Sequence, residues 1–559
     1  MTLFAMSISP RSRLILTSLA LFTLSFAIYY PTLNYEFLAW DTRFYVIESP
    51  MIRSLAWEHL WQMLTSLYRA NWHPLTWFSY ALDYAFYGLN PWGFHLTNLL
   101  WHSANSVLFF LFSLQLLKLH YVAKSPLAPS HEENKRQFWI AALAALWFGI
   151  HPQHVESVVW IAERKDVLCL FFSLLTLSFY LRYIQSRQLK HYLFSLLCFC
   201  LALMAKPMAV TLPVILLLLD IYPANRTRFT ISPHPESLLK LLIEKIPFFL
   251  GSAIDAGLTL LAQQQAIVDI TQISFIARLT NAFNSLITYL SKFILPLTLS
   301  PLYPFDADLL NNPLTVLAIP AVLMIGGSAV YAWRKRHFVW AIMLLFYVIS
   351  LLPVLGIIQV GAQASADRYA YFPTLPFYLV LAGGCIQWLW NTNRVQRTCA
   401  ALSILLMSVG FGMVTVQQSK IWENDLIFWS YIASYAPNFS VTQTNLAAAY
   451  YERGHYAAAI EHYKQALLYS NNGMIYYDMA LAYTQLGDFE NAIGICNDLI
   501  TYKVAVGVSQ DKIYYVLGIA QLQAGHNPEA RQALQQALNL NPKLEEARIA
   551  LQKIPAATP

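Results

Sequence analysis

Long runs of apolar residues, separated by short polar connections, make up most of the first three quarters of this chain. Eleven of these runs predict membrane-spanning helices, and they lie at 14–30, 93–117, 138–150, 167–185, 192–205, 209–222, 246–262, 314–333, 338–355, 374–391 and 398–417. In lipid, a helix satisfies its own backbone hydrogen bonds. The pattern therefore predicts an all-α, polytopic membrane domain.

Residues 282–299 form one more apolar run, and its placement depends on charge. Of the 36 Lys and Arg residues, 18 fall on the predicted cytoplasmic stretches and nine on the predicted outer loops. Cationic loops stay in the cytoplasm, which predicts a cytoplasmic N-terminus. The run 14–30 lacks a small-residue cleavage site, so we expect an uncleaved signal anchor there. Counting 282–299 as a span would move the cationic stretch 334–337 outside. We expect it to be an interfacial or re-entrant helix at the outer face.

Composition supports a membrane protein. The chain is 57% hydrophobic and 12% charged, whereas soluble domains are about 25% charged. The net charge of +6 is modest, and we expect no nucleic-acid partner. The six cysteines follow no metal-binding spacing.

After residue 418 the composition becomes that of a soluble protein, and a repeat appears. The segment 445–467 has the tetratricopeptide pattern of small and large residues, and a second copy follows about 33 residues later. A third copy follows a short insertion near 507–510, and 543–554 predicts a capping helix. The sequence 422–437 fits half of a preceding repeat. We predict a transmembrane domain at 1–418 and an α-solenoid at 419–559.

Helical repeats form concave surfaces that hold peptide segments. A protein or peptide partner is therefore expected for 419–559, with generic scaffolding as the alternative. The charge count predicts that this domain lies on the outer side of the membrane.

Polar and aromatic residues concentrate in the predicted outer loops. Asp41 lies in WDTRFYV (40–46), close to a membrane exit. Charges near a membrane are costly and tend to be functional, and this carboxylate could act as a general base on a hydroxyl. It could equally pair with Arg43 or cap a helix.

The outer loop HPQHVESVVWIAERKD (151–166) is rich in ionisable residues. If it is helical after Pro152, Glu156 and Arg164 share one face with Trp160 and Glu163. Arg164 and Lys165 could then clamp a phosphate. The alternative is a loop of internal salt bridges.

Two histidines in the same loop, His151 and His154, lack the carboxylates of a metal site, so no metal ligand is assigned. Lys206 and Arg368 end neighbouring outer segments, where they could snorkel or contact a lipid-linked phosphate. Trp72 and His73 suit an aromatic belt or stacking on a sugar.

Taken together, these stretches resemble the transmembrane and tetratricopeptide-repeat family of GT-C glycosyltransferases, which includes animal O-mannosyltransferases and bacterial members. The resemblance covers nearly the whole chain. It rests on FLAWDTRFYV (37–46), 71–105, 151–168, 205–220, ADRYAYFP (366–373) and the repeats.

The resemblance implies a polyprenyl-phosphate-linked sugar as donor and a protein acceptor recruited by the repeats. Asp41 would be the catalytic base of an inverting transfer. The residues expected to bind the donor or position the loop are Glu156, Arg164, Lys165, Lys206, Arg368, His73, Trp72 and His154. The expected location is a bacterial inner membrane, with catalytic loops and repeats on the periplasmic side.

One departure affects these expectations. The family pattern has two consecutive acids, whereas here Asp41 is followed by Thr42. A divalent metal or an acceptor contact that depends on the second acid is therefore in question. Two alternatives stay open: a non-catalytic membrane anchor for a peptide-binding solenoid, and a transferase acting on cell-envelope glycan.

Overall fold

The computed structural model describes residues 9–125, 128–227, 236–264, 273–305, 313–358, 363–502 and 507–554. The chain divides into two compact units, Met1–Glu423 and Asn424–Pro559. The sequence-predicted loop 359–373 falls partly outside the described residues, because the description resumes at 363. As expected from the sequence, the architecture is all-α apart from one pair of very short strands.

Long apolar helices form most of the first unit, and short helices lie in the connections. The helices are α1 Pro10–Tyr29, α2 Trp57–Thr65, α3 Pro74–Tyr87, α4 Pro91–Lys124, α5 His131–Ile150, α6 Val155–Val159, α7 Arg164–Ser186, α8 Leu189–Ala205, α9 Leu212–Ile221, α10 Leu238–Gln263, α11 Phe275–Ile294, α12 Pro313–Arg334, α13 Phe338–Leu351, α14 Leu375–Trp390 and α15 Arg394–Ser419.

Each of the eleven predicted spans coincides with one of these helices, but several helices begin earlier than the apolar run. Ser130 caps α5 by accepting a hydrogen bond from the Glu133 amide at 3.1 Å, so the helix begins at His131, seven residues before the predicted start at 138. Ser237 caps α10 in the same way through Lys240. A capping side chain sets where a helix begins, whereas the hydropathy pattern marks only its apolar part.

Six helical segments within the described residues are long and apolar enough to cross a membrane, and they establish an integral membrane protein. They are Pro10–Asn34, Pro91–Val122, Ile161–Ser186, Leu238–Gln263, Thr315–Arg334 and Arg394–Trp422. Four apolar helices are shorter: Leu189–Ala205, Pro207–Ile221, Phe338–Val354 and Leu375–Trp390. Burial against neighbouring helices makes such short apolar helices possible.

The additional apolar run, 282–299, falls largely within the amphipathic helix α11. Leu286 and Tyr289 lie on its buried face, which packs against Tyr347 and Leu351 of α13. Ile276 and Ile294 remain 64% and 74% exposed. After α11, the strand β1 (Tyr303–Pro304) pairs antiparallel with β2 (Gln363–Ser365). The interfacial placement of this helix stays a prediction.

A buried ionic network joins the predicted cytoplasmic ends of α9 and α10. Arg226 NH1 lies 2.7 Å from Asp220 Oδ1, and Arg226 NH2 lies 2.8 Å from Glu244 Oε2. Lys245 Nζ lies 2.7 Å from both carboxylates. Removing one partner from such a network leaves an uncompensated buried charge, so the network holds these helix ends together.

The second unit consists of helix pairs, as the repeats predict. Its helices are α16 Asp425–Tyr435, α17 Ser440–Glu452, α18 Tyr456–Leu467, α19 Gly473–Leu486, α20 Phe489–Tyr502, α21 Gln510–Gln523, α22 Asn527–Leu540 and α23 Glu545–Gln552. Gly454, Gly487 and Gly525 have φ angles of 78°, 88° and 85° just after the first helix of each pair. Glycine adopts this left-handed conformation without a Cβ penalty, which explains why the repeats place it there.

Small residues let the paired helices approach closely, and Gly518 of α21 is the tightest of these positions. A Cβ atom built there would lie 2.7 Å from Leu534 Cγ and 3.2 Å from the Leu534 backbone nitrogen. Gly494, inside α20, has no heavy atom within 4 Å of the same position among the described residues. The two glycines are therefore a matched pair that separates packing from helix propensity.

We predict that Gly518→Ala destabilises the second unit by about 1–3 kcal/mol, because the added methyl group forces α21 and α22 apart. Gly494→Ala should instead leave stability unchanged or raise it by up to about 1 kcal/mol, because alanine favours the helix. The midpoint of protease-monitored thermal unfolding of the full chain measures both. Equal midpoints for the two variants would contradict the packing argument.

Candidate active site

Asp41 begins a short helical segment that continues as a π-helical turn over Arg43–Ile47. Its side chain is partly buried. Among the described residues no hydrogen bond or ion pair is made by this carboxylate. Arg43 instead lies 2.6 Å from Glu48, and no side chain caps the turn. The two structural alternatives for Asp41, pairing with Arg43 and helix capping, are therefore not what the structure shows.

The surroundings of Asp41 tune its basicity. Burial raises the pKa of this carboxyl group above its ordinary value of 3.8, while the positive charges of Lys165 and Arg368 lower it and Glu163 raises it. A carboxylate with a raised pKa is a stronger base than one in water. An accessible, unpaired carboxylate of this kind is suited to accept a proton.

Three tryptophan rings pack in a row that begins at Trp40, the residue before Asp41. The ring of Trp40 stacks on that of Trp160, with centroids 5.1 Å apart, and Trp160 lies 5.8 Å from Trp422. The Arg368 guanidinium lies 5.5 Å from the centre of the Trp160 ring. The stack connects the Asp41 loop to the segment 151–166.

The segment 151–166 is not one continuous helix, so the predicted common face of Glu156, Trp160, Glu163 and Arg164 is wrong. Helix α6 ends at Val159, and Trp160 has extended backbone with ψ of 113°. Asn98 of α4 donates its amide to the carbonyls of Val158 and Trp160, at 3.1 and 3.3 Å. These contacts occupy carbonyl oxygens that a continuous helix would use, and they stabilise the break.

Glu163 lies at the centre of an ion-paired cluster. Its Oε1 is 3.0 Å from Lys165 Nζ and 3.2 Å from Arg368 Nε. Its Oε2 is 3.2 Å from Lys206 Nζ. Three cations from three different segments thus meet on one buried carboxylate.

Two more carboxylates complete this arrangement. Asp166 Oδ1 lies 2.5 Å from Lys206 Nζ and also accepts a hydrogen bond from Ser157 at 2.9 Å through Oδ2. Glu156 pairs with the Arg368 guanidinium through Oε1, and its Oε2 accepts the Arg368 amide at 3.0 Å. We call the six ion-paired residues the Glu163 cluster: Glu156, Glu163, Lys165, Asp166, Lys206 and Arg368.

The Glu163 cluster holds three acids and three bases, so it is neutral overall when every group is ionised. Burial raises the pKa of Glu156 to about 7, against the lowering effect of Arg368. Burial opposes the charge on Lys206, but Asp166 and Glu163 outweigh it and raise the pKa of its ammonium group. Glu156 is therefore the cluster member outside the spanning helices whose charge changes near neutral pH.

Arg164 is placed apart from this cluster. Its side chain is fully buried, and NH1 lies 2.7 Å from Asp83 Oδ2 and 2.9 Å from Ser79 Oγ. The guanidinium also donates to Asn98 and to the Phe94 carbonyl. This geometry is that of an internal salt bridge, the alternative considered for this loop, and it leaves the guanidinium no exposed edge for a phosphate.

Two of the remaining predicted residues, Trp72 and His73, lie directly before α3. His73 is buried at the start of α3, and burial together with the charges of Lys165 and Lys206 holds its pKa well below the usual range. Trp72 is partly buried and donates to the Leu64 carbonyl at 2.8 Å. His73 therefore contributes a neutral ring near the cluster, whereas Trp72 serves local packing.

His154 lies among buried aromatic rings. Its Nδ1 is 2.9 Å from the Phe148 carbonyl and its Nε2 is 3.2 Å from the Tyr378 hydroxyl, and burial holds its pKa well below the usual range. His151 contacts the Phe293 carbonyl at 3.0 Å. Within the described ranges, no group of three or more His, Cys, Asp or Glu side chains is arranged to hold a metal ion.

Three charged positions were not singled out from the sequence. Asp166 ends the ERKD stretch. Its position three residues after Glu163 could have identified it as a candidate from the sequence. Asp367 accepts a hydrogen bond from Tyr303 at 2.7 Å and lies 3.5 Å from Lys292. Asp255 is buried within α10, where an acid in an apolar run marks a position of interest.

One small cavity is lined by members of the Glu163 cluster, and a pair of aromatic rings links it to a larger cavity. A small cavity of about 20 Å³ is lined by Asp166, Lys206, Arg368 and Phe372, among others. The Phe372 ring lies 5.0 Å from that of Phe346, which lines an almost wholly apolar cavity of about 340 Å³. The small cavity, which three charged residues help to line, and the apolar cavity are therefore linked through one pair of rings.

Known families match both units. Residues 134–248 match the family described as dolichyl-phosphate-mannose-protein mannosyltransferase, and residues 444–502 and 511–544 match tetratricopeptide repeats. The chain is thus similar to membrane mannosyltransferases within its first unit and to tetratricopeptide repeats within its second. The family match at 134–248 includes Glu156, Glu163, Asp166 and Lys206 but neither Asp41 nor Arg368.

Two O-mannosyl-transferases are similar to part of this chain. Protein O-mannosyl-transferase TMTC2 of Homo sapiens is 29% identical over 252 residues, covering 42% of this chain and 28% of the relative. The protein of the same name in Mus musculus is 32% identical over 171 residues, covering 29% of this chain and 18% of the relative. These matches thus cover less than a third of either relative.

One solved structure also aligns with the chain. It is the crystal structure of the APC/C hetero-tetramer Cut9-Hcn1, with 13% sequence identity and a TM-score of 0.22. The alignment covers 86% of this chain and 93% of that chain.

We predict that Arg164→Ala destabilises the first unit by about 3–5 kcal/mol, because it leaves the Asp83 carboxylate buried without its partner. Arg43→Ala is the matched control, because the Arg43–Glu48 pair is exposed and such pairs contribute at most about 1 kcal/mol. Thermal unfolding of the detergent-solubilised chain measures both variants. A similar small effect for the two would show that the Asp83–Arg164 pair is not structural.

Proposed function

We propose that this protein is a membrane glycosyltransferase that moves a sugar from a polyprenyl-phosphate carrier to a hydroxyl group of a protein. The observation that carries the proposal is the state of the Asp41 carboxylate. It is partly buried, it interacts electrostatically with Lys165 and Arg368, and it forms no ion pair among the described residues. The names of the similar proteins favour O-mannosylation.

In the proposed reaction, Asp41 accepts the proton of the acceptor hydroxyl. The hydroxyl oxygen attacks the anomeric carbon of the sugar, and the bond between that carbon and the phosphate oxygen breaks. The electron pair leaves with the polyprenyl phosphate, so the anomeric configuration is inverted. Asp41 supplies general base catalysis, which contributes about 10²–10⁴-fold to such steps.

Negative charge develops on the leaving phosphate as the bond breaks, and positively charged side chains beside it stabilise that charge. Lys206 and Arg368 line the small cavity, and both belong to the Glu163 cluster. Glu163 and Asp166 hold these cations in place, so their positions do not depend on the substrate. We assign Lys165, Lys206 and Arg368 to the phosphate, and Glu156 to the positioning of Arg368.

The carrier lipid would occupy the apolar cavity. Its volume of about 340 Å³ accommodates a few isoprene units, and the phosphate would lie against Lys206 and Arg368, which line the small cavity. A long lipid with an anionic head matches this adjacency of apolar and charged lining better than a water-soluble nucleotide sugar does.

The second unit would recruit the acceptor. Tetratricopeptide repeats hold peptide segments, and the charge count favours the same outer side of the membrane for these repeats and for the loops that carry Asp41. In a bacterial cell this side would be the periplasm. The acceptor would then be a secreted or surface protein.

One observation favours the second candidate, a non-catalytic anchor for the repeats. Thr42, which replaces the second acid of the family pattern, is fully buried, and among the described residues its hydroxyl group finds no hydrogen-bond partner. Position 42 therefore offers no second carboxylate next to Asp41. Base catalysis by Asp41 alone does not need it.

We predict that Asp41→Asn lowers sugar transfer about 10²–10⁴-fold, because the amide cannot accept the proton. Glu48→Gln is the matched control: it removes an exposed acid of the same loop and should leave transfer intact. Mass spectrometry of outer-face proteins and glycans from cells carrying each variant measures the product and reveals the acceptor class. Unchanged glycosylation with Asp41→Asn would favour the anchor.

We predict that the transfer rate rises with pH over a range above the ordinary pKa of an aspartate, because the base must be deprotonated and its pKa is raised. Lys165→Gln should move this rise to still higher pH, because Lys165 lowers the pKa of Asp41. Lys118→Gln, at the far end of α4, should not move it. A pH profile of kcat/KM that is identical in the parent chain and Lys165→Gln would contradict the assignment of Asp41.

A further inference from the structure

Helix α2 (Trp57–Thr65) presents a continuous apolar stripe to its surroundings. Trp57, Trp61 and Leu64 are 67%, 55% and 39% exposed. Their spacing of four and three residues places them on one face of the helix. The two tryptophan rings lie 6.1 Å apart, so they form one patch.

The opposite face of α2 is attached to the protein. Met63 is 2% exposed, and the His59 Nδ1 lies 3.1 Å from the Met51 carbonyl. Glu58 and Gln62 lie on the remaining side and are polar. The helix therefore has three distinct sides, one packed on the protein, one polar and one apolar.

Two further aromatic rings are exposed on the helices that follow α2. Phe86 near the end of α3 is 78% exposed, and Trp92 at the start of α4 is 40% exposed. Helix α4 is one of the helices long and apolar enough to cross the membrane. Tryptophan and tyrosine concentrate at membrane–water interfaces, where an apolar ring and a polar N–H or O–H group both find partners.

The same helix is fastened to the loop that carries Asp41. On its N-terminal side, Arg53 donates to the carbonyls of Val46 (3.0 Å) and Ile47. On its C-terminal side, the Tyr68 hydroxyl donates to the Phe44 carbonyl at 3.1 Å. The two attachments bracket α2, so a shift of the helix would displace the π-helical turn next to Asp41.

We propose that α2 lies in the plane of the membrane interface, with Trp57, Trp61 and Leu64 inserted among the lipid headgroups and the first part of the acyl chains. The partner is the bilayer surface itself. An amphipathic helix without a cluster of cations on its polar side does not need anionic lipid, so a zwitterionic bilayer suffices. The contact fixes the depth of the Asp41 loop relative to the membrane.

The depth of α2 can be measured directly in the full chain. A chain with its six cysteines replaced would receive one spin-labelled cysteine, as Trp57→Cys, Trp61→Cys or the matched control Gln62→Cys, and be placed in phosphatidylcholine nanodiscs. Collisions with oxygen report lipid and collisions with a water-soluble nickel chelate report solvent. We expect a several-fold higher oxygen-to-nickel ratio at positions 57 and 61 than at 62.

Two results would overturn the proposal. Equal ratios at the three positions would place the tryptophans in water. Protection of positions 57 and 61 from both reagents, lost when the nanodisc holds a single copy, would show that a second copy of the chain covers the stripe. Labelling Leu64→Cys gives a second reading if a tryptophan variant does not fold, and none of these measurements depends on sugar transfer.

Discussion

The energetic cost of burying charge next to lipid is the constraint on which the first unit depends. Moving an ion out of water costs several kcal/mol even after relaxation, and the Glu163 cluster offsets that cost by pairing three carboxylates with three cations. The paired residues come from three different parts of the chain, which are the segment 156–166, Lys206 and Arg368. The same contacts that neutralise the charges therefore also hold these three segments together.

Much of the fold could be predicted because its signals are local. Apolar runs fix which segments become long helices, and the glycines and small residues of the repeats fix the paired helices of the second unit. Asp41, Lys165, Lys206 and Arg368 were identified from charge near a predicted membrane exit and from resemblance. Their proximity is a property of the folded chain, but the outer-loop placement already suggested it.

The parts that could not be predicted depend on contacts between distant residues. The break at Trp160 is stabilised by Asn98, which lies about 60 residues earlier in the chain. From the sequence, Arg164 resembles a phosphate ligand beside Lys165. In the structure its guanidinium is instead buried and bound by Asp83 and Ser79 of α3. Adjacent cations thus have different environments because a new helix begins at Arg164, and no local pattern reports which partner each one meets.

The titration of Glu156 has a consequence for how the cluster could exchange ligands. With all six groups ionised the cluster is neutral, and an incoming anionic headgroup would disturb that balance. A proton taken up by Glu156, whose pKa is about 7, would restore it and release Arg368 from one of its carboxylates. Such an exchange is electroneutral, so occupancy of the site would be insensitive to the voltage across the bilayer.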